Sequence, residues 1–179
     1  TCSPSSGFHH SGVDFCSCFT TFCGLMVAAI KLLNEGLVKK VGIVDLDRHA
    51  GNGTQNIIDT LKLEDSVLHW SFGYEYDHRT FRQDQFMKDL DWTLRGMKVE
   101  GVDLIIAQCA GDSHMDDPLG GFQTTEDLRD RDRLLFDTCA GLGMPVTFCF
   151  GGGYIVEPDG SIPKVLEIHR NTAIEAILV

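Results

Sequence analysis

Four short runs with strand character, Val41–Leu46, Ser66–Ser71, Val102–Ala107 and Pro145–Phe150, alternate along this chain with segments whose apolar residues recur at helical spacing. Those segments are Phe22–Leu33, Thr54–Leu61, Gln83–Met97, Thr125–Leu142 and Ile162–Ile177. Strands that alternate with helices predict a mainly parallel sheet with helices on both faces, a three-layer α/β/α architecture. Gly36 is placed to stop the first helix and Thr54 to cap the second. Residues 1–21 and 72–81 read as loops, and Trp70 and Trp92 as core. No repeat or linker interrupts the pattern, so residues 1–179 are expected to form a single domain, long enough for a sizeable core.

The formal net charge of −11 argues against nucleic acid as a partner and favours a neutral or cationic ligand. No apolar run has the length of a membrane span, and a signal peptide is not expected. Seven cysteines, an odd number without a Cys-x-x-Cys pair, predict free thiols in a reducing compartment and so a cytoplasmic protein.

In open parallel sheets, ligands bind beyond the carboxyl ends of the strands. The unusual residues fall there. Asp45, Asp47 and His49 follow the first strand, and if the chain stays extended they point to one side. Two carboxylates and an imidazole can hold a divalent metal, although the segment also reads as a salt-bridged, solvated loop. Ser71 ends the second strand, an acidic loop with Asp112, Asp116 and Asp117 follows the third, and Gly151-Gly-Gly-Tyr154 follows the fourth.

With these residues assembled, the chain resembles the histone deacetylase family and its microbial amidohydrolase relatives. The matching segments occur in the family's order: Gly7-Phe-His-His-Ser11, Phe15-Cys16, Asp45-Leu-Asp-Arg-His-Ala-Gly-Asn-Gly-Thr-Gln55, Asp117-Pro-Leu-Gly-Gly121 and Gly151-Gly-Gly-Tyr154. The resemblance implies an arginase/deacetylase-like fold and a divalent ion, Zn2+ or Fe2+, held by Asp47, His49 and Asp117. It implies that Asp45 accepts a hydrogen bond from His9, and Asn52 one from His10. His10 would be general base and acid, His9 its electrostatic partner and Tyr154 the oxyanion donor. Phe15 would form a wall of the acyl tunnel, with Gly152 beside the substrate. A monovalent cation, K+, would lie among Asp45, Asp47 and Ser71, with backbone carbonyls of His49 and Phe72. Asp116 reads as a surface charge and Asp112 as part of the loop's framework. His69, His78, His114 and His169 read as core-edge or surface residues.

The chain departs from the family's usual length. Only eight residues precede His9, and the segment between Ser71 and Val102 is short, so part of the usual sheet and tunnel is expected to be missing. The expected activity is hydrolysis of an acetylated amine, either acetyl-lysine or an acetylpolyamine, by metal-activated water. The alternative is a shortened relative that binds metal or self-associates without turnover. A sheet edge left open by missing strands invites pairing, so a homo-oligomer is expected.

Overall fold

The computed structural model describes residues 1–5 and 8–179; Gly7, at the head of the paired-histidine segment, lies outside them. Five strands form one parallel sheet in the order β1-β5-β4-β2-β3. They are β1 (Cys2–Ser3), β2 (Val41–Asp45), β3 (Val67–Ser71), β4 (Leu104–Ala110) and β5 (Val146–Gly151). The helices are α1 (Gly24–Asn34), α2 (Asn52–Leu61), α3 (Phe72–Glu75), α4 (Gln83–Val99), α5 (Thr125–Gly141) and α6 (Pro163–Ile177). This is the α/β architecture expected, with one strand more. β1 lies within the segment expected to be loop and pairs with β5, Cys2 opposite Phe148. Two residues are too short to carry a periodic signal.

The period-2 alternation of the central strands divides the core into two layers. Val44, Ile105, Ala107 and Cys109 pack with Phe86, Leu90 and Leu94 of α4 and Leu135 and Phe136 of α5. Ile43 and Ile106 face the other way, against Leu25, Met26 and Ala29 of α1 and Ile57 and Ile58 of α2. Both faces of the sheet are covered, which is why β2 and β4 read as near-continuous apolar runs. Burying each large apolar side chain stabilises the fold by about 1.5–3 kcal/mol.

Three local expectations change. Helix α2 begins at Asn52 behind Gly51, so Thr54 is not its cap; its hydroxyl is buried beside the Cys23 thiol, 3.5 Å away. The loop after β3 opens with α3, closed by Tyr76 N donating to Phe72 O. Trp92 lies on the outer face of α4 and is 76% exposed, whereas Trp70 packs against the core. By contrast, α5 opens on a full capping box in which Thr124 and Asp127 bond each other's backbone amides. Cys23, Cys109, Cys139 and Cys149 are buried and Cys2, Cys16 and Cys18 exposed, all as free thiols. Among the described residues, no helix is long and apolar enough to cross a membrane.

Candidate active site

The parallel register aligns the carboxyl ends of the strands. Asp45, the last residue of β2, is level with Ser71 of β3 and Gln108 of β4, and Ala110 is level with Gly151 of β5. Beyond Asp45 the chain leaves the strand. Asp47 N donates to Asp45 Oδ1 (3.1 Å) and His49 N to Asp47 Oδ1 (2.9 Å). Asp45, Asp47 and His49 therefore converge through side-chain-to-backbone bonds in a bend rather than through an extended strand. Gly73 lets α3 close on this bend, since a Cβ there would lie 2.1 Å from the His49 carbonyl carbon. Gly53 allows the same on the other side: its amide donates to His9 O (2.9 Å), and a Cβ would strike the Ser11 backbone.

Two imidazole pairs follow from this packing. His9 Nδ1 lies 2.7 Å from Asp45 Oδ2 in a buried pair, and His10 Nδ1 lies 2.6 Å from Asn52 Oδ1. The two rings are 3.9 Å apart. Burial works against a charge on His9, but Asp45 and then Asp47 outweigh it and lift its pKa to about 9. Burial dominates at His10 and lowers its pKa. Adjacent histidines in one cavity thus favour opposite protonation states.

Asp47, His49 and Asp112 offer ligand atoms that lie within 4.8 Å of one another. His49 Nδ1 is 2.9 Å from Asp112 Oδ2 and 3.1 Å from Asp47 Oδ1. Hydrogen bonds to Asp112 and then Asp47 lift its pKa to about 10. Burial and the neighbouring Asp47 charge push Asp112 up to about 6. Oxygen and nitrogen donors around a surplus of negative charge fit a divalent cation. Asp117 stands outside this cluster. Its carboxylate accepts from Tyr154 N (2.7 Å) and Leu119 N (2.9 Å), linking the acidic loop to the glycine-rich one. Asp112 was expected only to frame the loop. It is fully buried two residues beyond the end of β4, a position that the sequence shows but a burial that it does not.

His9, His10, Asp47, His49, Gly152 and Tyr154 line a single cavity with Gln108 at its buried floor. Burial, with Asp47 and Asp112 nearby, raises the Tyr154 phenol to about 12, so it remains a proton donor at neutral pH. Gly152 is required for close approach, because a Cβ would lie 2.5 Å from the Asp112 carboxyl carbon. Ser71 Oγ accepts from Gly51 N (3.1 Å), and the Phe72 carbonyl accepts from Tyr76 N. Phe15 differs from expectation. Gly12 N donates to Phe15 O (3.0 Å), folding the ring back over Gly12 and away from the cavity. The aromatic lining is instead Phe19 with Tyr154. No pattern in residues 12–20 distinguishes Phe19 from Phe15, because a turn sets the difference.

Beneath the strand ends, the fully buried Arg131 of α5 donates from Nη1 to Ala110 O (3.0 Å) and Leu46 O (3.4 Å). Its Nε bonds Asp132 Oδ1 (2.8 Å), whose other oxygen accepts from Thr172 of α6 (2.5 Å). The acidic loop is braced separately by His114, which is buried, with Nε2 3.0 Å from Thr125 Oγ1.

The family model for the Histone deacetylase domain matches residues 1–101. An uncharacterized protein of Picosynechococcus sp. is 30% identical over 188 residues, covering 94% of this chain and 61% of its own length. Acetylpolyamine amidohydrolase 2 of Pseudomonas aeruginosa is 26% identical over 177 residues, covering 85% of this chain and 50% of that protein. Among solved structures, an acetylpolyamine aminohydrolase from Burkholderia pseudomallei superposes with a TM-score of 0.74 at 20% identity, over 95% of this chain and 54% of that one. The HDA15 HD domain superposes with a TM-score of 0.72 at 22% identity, over 97% and 53%. The structural likeness establishes the arginase/deacetylase fold. The chain spans about half to three fifths of the length of these proteins.

Proposed function

The chain belongs to the histone deacetylase domain family, and on that premise we propose that it is a metal-dependent hydrolase that removes the acetyl group from an amine, as an acetylpolyamine or acetyl-lysine. The observation that carries this reading is the pair His9 and His10, with pKa values displaced in opposite directions, in one cavity with Tyr154 and the Asp47–His49 cluster. Neighbouring titratable groups pushed apart in this way divide acid and base work between them. Zn2+ or Fe2+ held by Asp47, His49 and an acid of the 111–122 loop would polarise the amide carbonyl and acidify a water towards pKa ~7.

His10, neutral at pH 7 and anchored through Nδ1 by Asn52, keeps Nε2 free to take the water's proton and return it to the leaving nitrogen. His9, paired with Asp45, remains an imidazolium that favours negative charge on the reacting oxygens. The Tyr154 hydroxyl donates to the carbonyl oxygen as it gains charge, and Gly152 leaves room for the acyl group. The amide C–N bond breaks to give acetate and the free amine.

The resemblance favours Asp117 as third ligand, with the enclosed Asp112 steadying His49 from behind. The distances favour a second reading in which Asp112 itself is the ligand. The net charge of −11 suits a cationic amine, the buried thiols suit a cytoplasmic location, and the open edge of β3 suits self-association. K+ beside Asp45, Asp47 and Ser71 would complete the assignment.

Metal content after loading with Zn2+ or Fe2+, measured alongside hydrolysis of acetylpolyamine and acetyl-lysine substrates, tests the proposal. Tyr154→Phe should keep its metal and lose roughly 10²–10³-fold in kcat. Asp117→Ala and Asp112→Ala separate the two ligand sets by which one loses the ion. Bound metal without turnover of either substrate would favour a non-catalytic relative that binds metal and self-associates. No bound metal after loading would refute both.

A further inference from the structure

Helix α6 supports the glycine-rich loop at two points on one of its faces. Val165 and His169 share that face, at i and i+4. A Cβ on Gly153 (φ +120°) would lie 3.0 Å from Val165 Cγ1, and the His169 ring interacts with the Gly152 backbone. The imidazole also packs on Phe150 of β5, with ring centroids 4.6 Å apart. Elsewhere the loop stands clear of α6, across a recess of about 290 Å³ lined by Phe150, Val165 and His169. On the cavity side the loop is anchored by Tyr154 N donating to Asp117 Oδ2 (2.7 Å).

An imidazole is a costly choice behind this loop. Burial, then the Arg131 charge, lowers the His169 pKa, so the ring is neutral at pH 7. Its Nδ1 is buried without a hydrogen-bond partner among the described residues. Leucine or phenylalanine would pack on Phe150 and leave no polar atom unpaired. Packing therefore does not account for His169. What it adds over an apolar residue is a polar contact with the backbone two residues before Tyr154.

We propose that His169 is a positioning residue for the oxyanion donor, holding Gly152 from behind so that Tyr154 meets the amide carbonyl. The proposal rests on the hydrolase reading above, which gives Tyr154 its role. His169 is not among the residues that line the cavity, so its loss should lower kcat and leave KM in place.

The test compares wild-type protein with His169→Leu and His169→Gln, each also in the Tyr154→Phe background. Turnover of N-acetylputrescine and an acetyl-lysine peptide is measured on metal-loaded protein, and amide hydrogen exchange of the Gly152–Tyr154 segment on the same samples. His169→Leu should lower kcat about tenfold at unchanged KM. It should also speed exchange of the loop while α6 keeps its protection. His169→Gln restores a polar contact and should recover most of both losses. With Tyr154 already replaced, His169→Leu should cost nothing further, because it acts through the phenol. His169→Phe takes the place of His169→Leu should the latter lose protection throughout α6. An active enzyme in which the apolar variant leaves kcat or loop exchange unchanged overturns the positioning role and leaves the hydrolase reading standing. An undiminished loss in the Tyr154→Phe background does the same. A wild type without turnover of either substrate overturns the hydrolase reading, and loop exchange then decides alone whether His169 holds the loop.

Discussion

Replacing Arg131 with methionine should unfold much of this protein's margin of stability. The guanidinium is fully buried, bonds Asp132, and binds the carbonyls at the ends of both β2 and β4. Methionine fills similar volume but donates nothing. Asp132, itself 1% exposed, would then be a buried carboxylate with only Thr172 to satisfy it. Removing one partner of a buried ion pair costs about 3–5 kcal/mol, against a total stability of roughly 5–15 kcal/mol for a domain. In a chain of this length that lowers the thermal midpoint by roughly 6–20 °C. Urea unfolding should give a lower midpoint concentration at constant slope. The double variant Arg131→Met/Asp132→Leu should recover part of the loss, because it removes the uncompensated charge. A single-variant loss under 1 kcal/mol would refute the reasoning.

Two other perturbations probe the α5–α6 layer. Thr124→Ala dismantles the capping box and should cost about 1 kcal/mol, read as a fall of roughly 2–4 °C in thermal midpoint; no change would show that the cap is redundant. At Glu175, burial opposes the charged form, but hydrogen bonds from Arg129 and Arg133 prevail and hold its pKa below the ordinary value. A lowered carboxylate pKa stabilises the fold above the unfolded value of about 4.3, and that contribution disappears as pH falls through the folded value. Glu175→Gln should therefore be less stable than wild type at pH 7, with the gap closing below pH 4. A gap independent of pH would refute the pairing.

Fold class was legible because short apolar strand-like runs alternate with segments of helical spacing, the order that a parallel sheet covered on both faces requires. β1 was not, since its two residues are held by β5 rather than by any propensity of their own. At the site, residues adjacent to strand ends were legible: Asp45, Asp47, His49 and Gly152 follow directly from where β2 and β5 stop. The approach of Asp112 to Asp47 and His49 was not legible, because a buried carboxylate and an exposed one look alike in a loop holding three. Phe15 was expected at the cavity wall, but Phe19 lines the cavity instead, and no residue preference in that loop distinguishes the two. Trp92 reads as core by its size, yet its position on α4 turns it to solvent.

The strand order carries a consequence for how the protein comes into being. Residues 9, 45–49, 112–117 and 152–154 meet only after β3, β2, β4 and β5 have all paired, and every pairing is parallel and distant in sequence. Such contacts demand large loop closures and form late. A chain still emerging from synthesis therefore has these side chains but not the cavity that they line. An ion bound there would act on the finished sheet, slowing unfolding rather than guiding the chain to its fold.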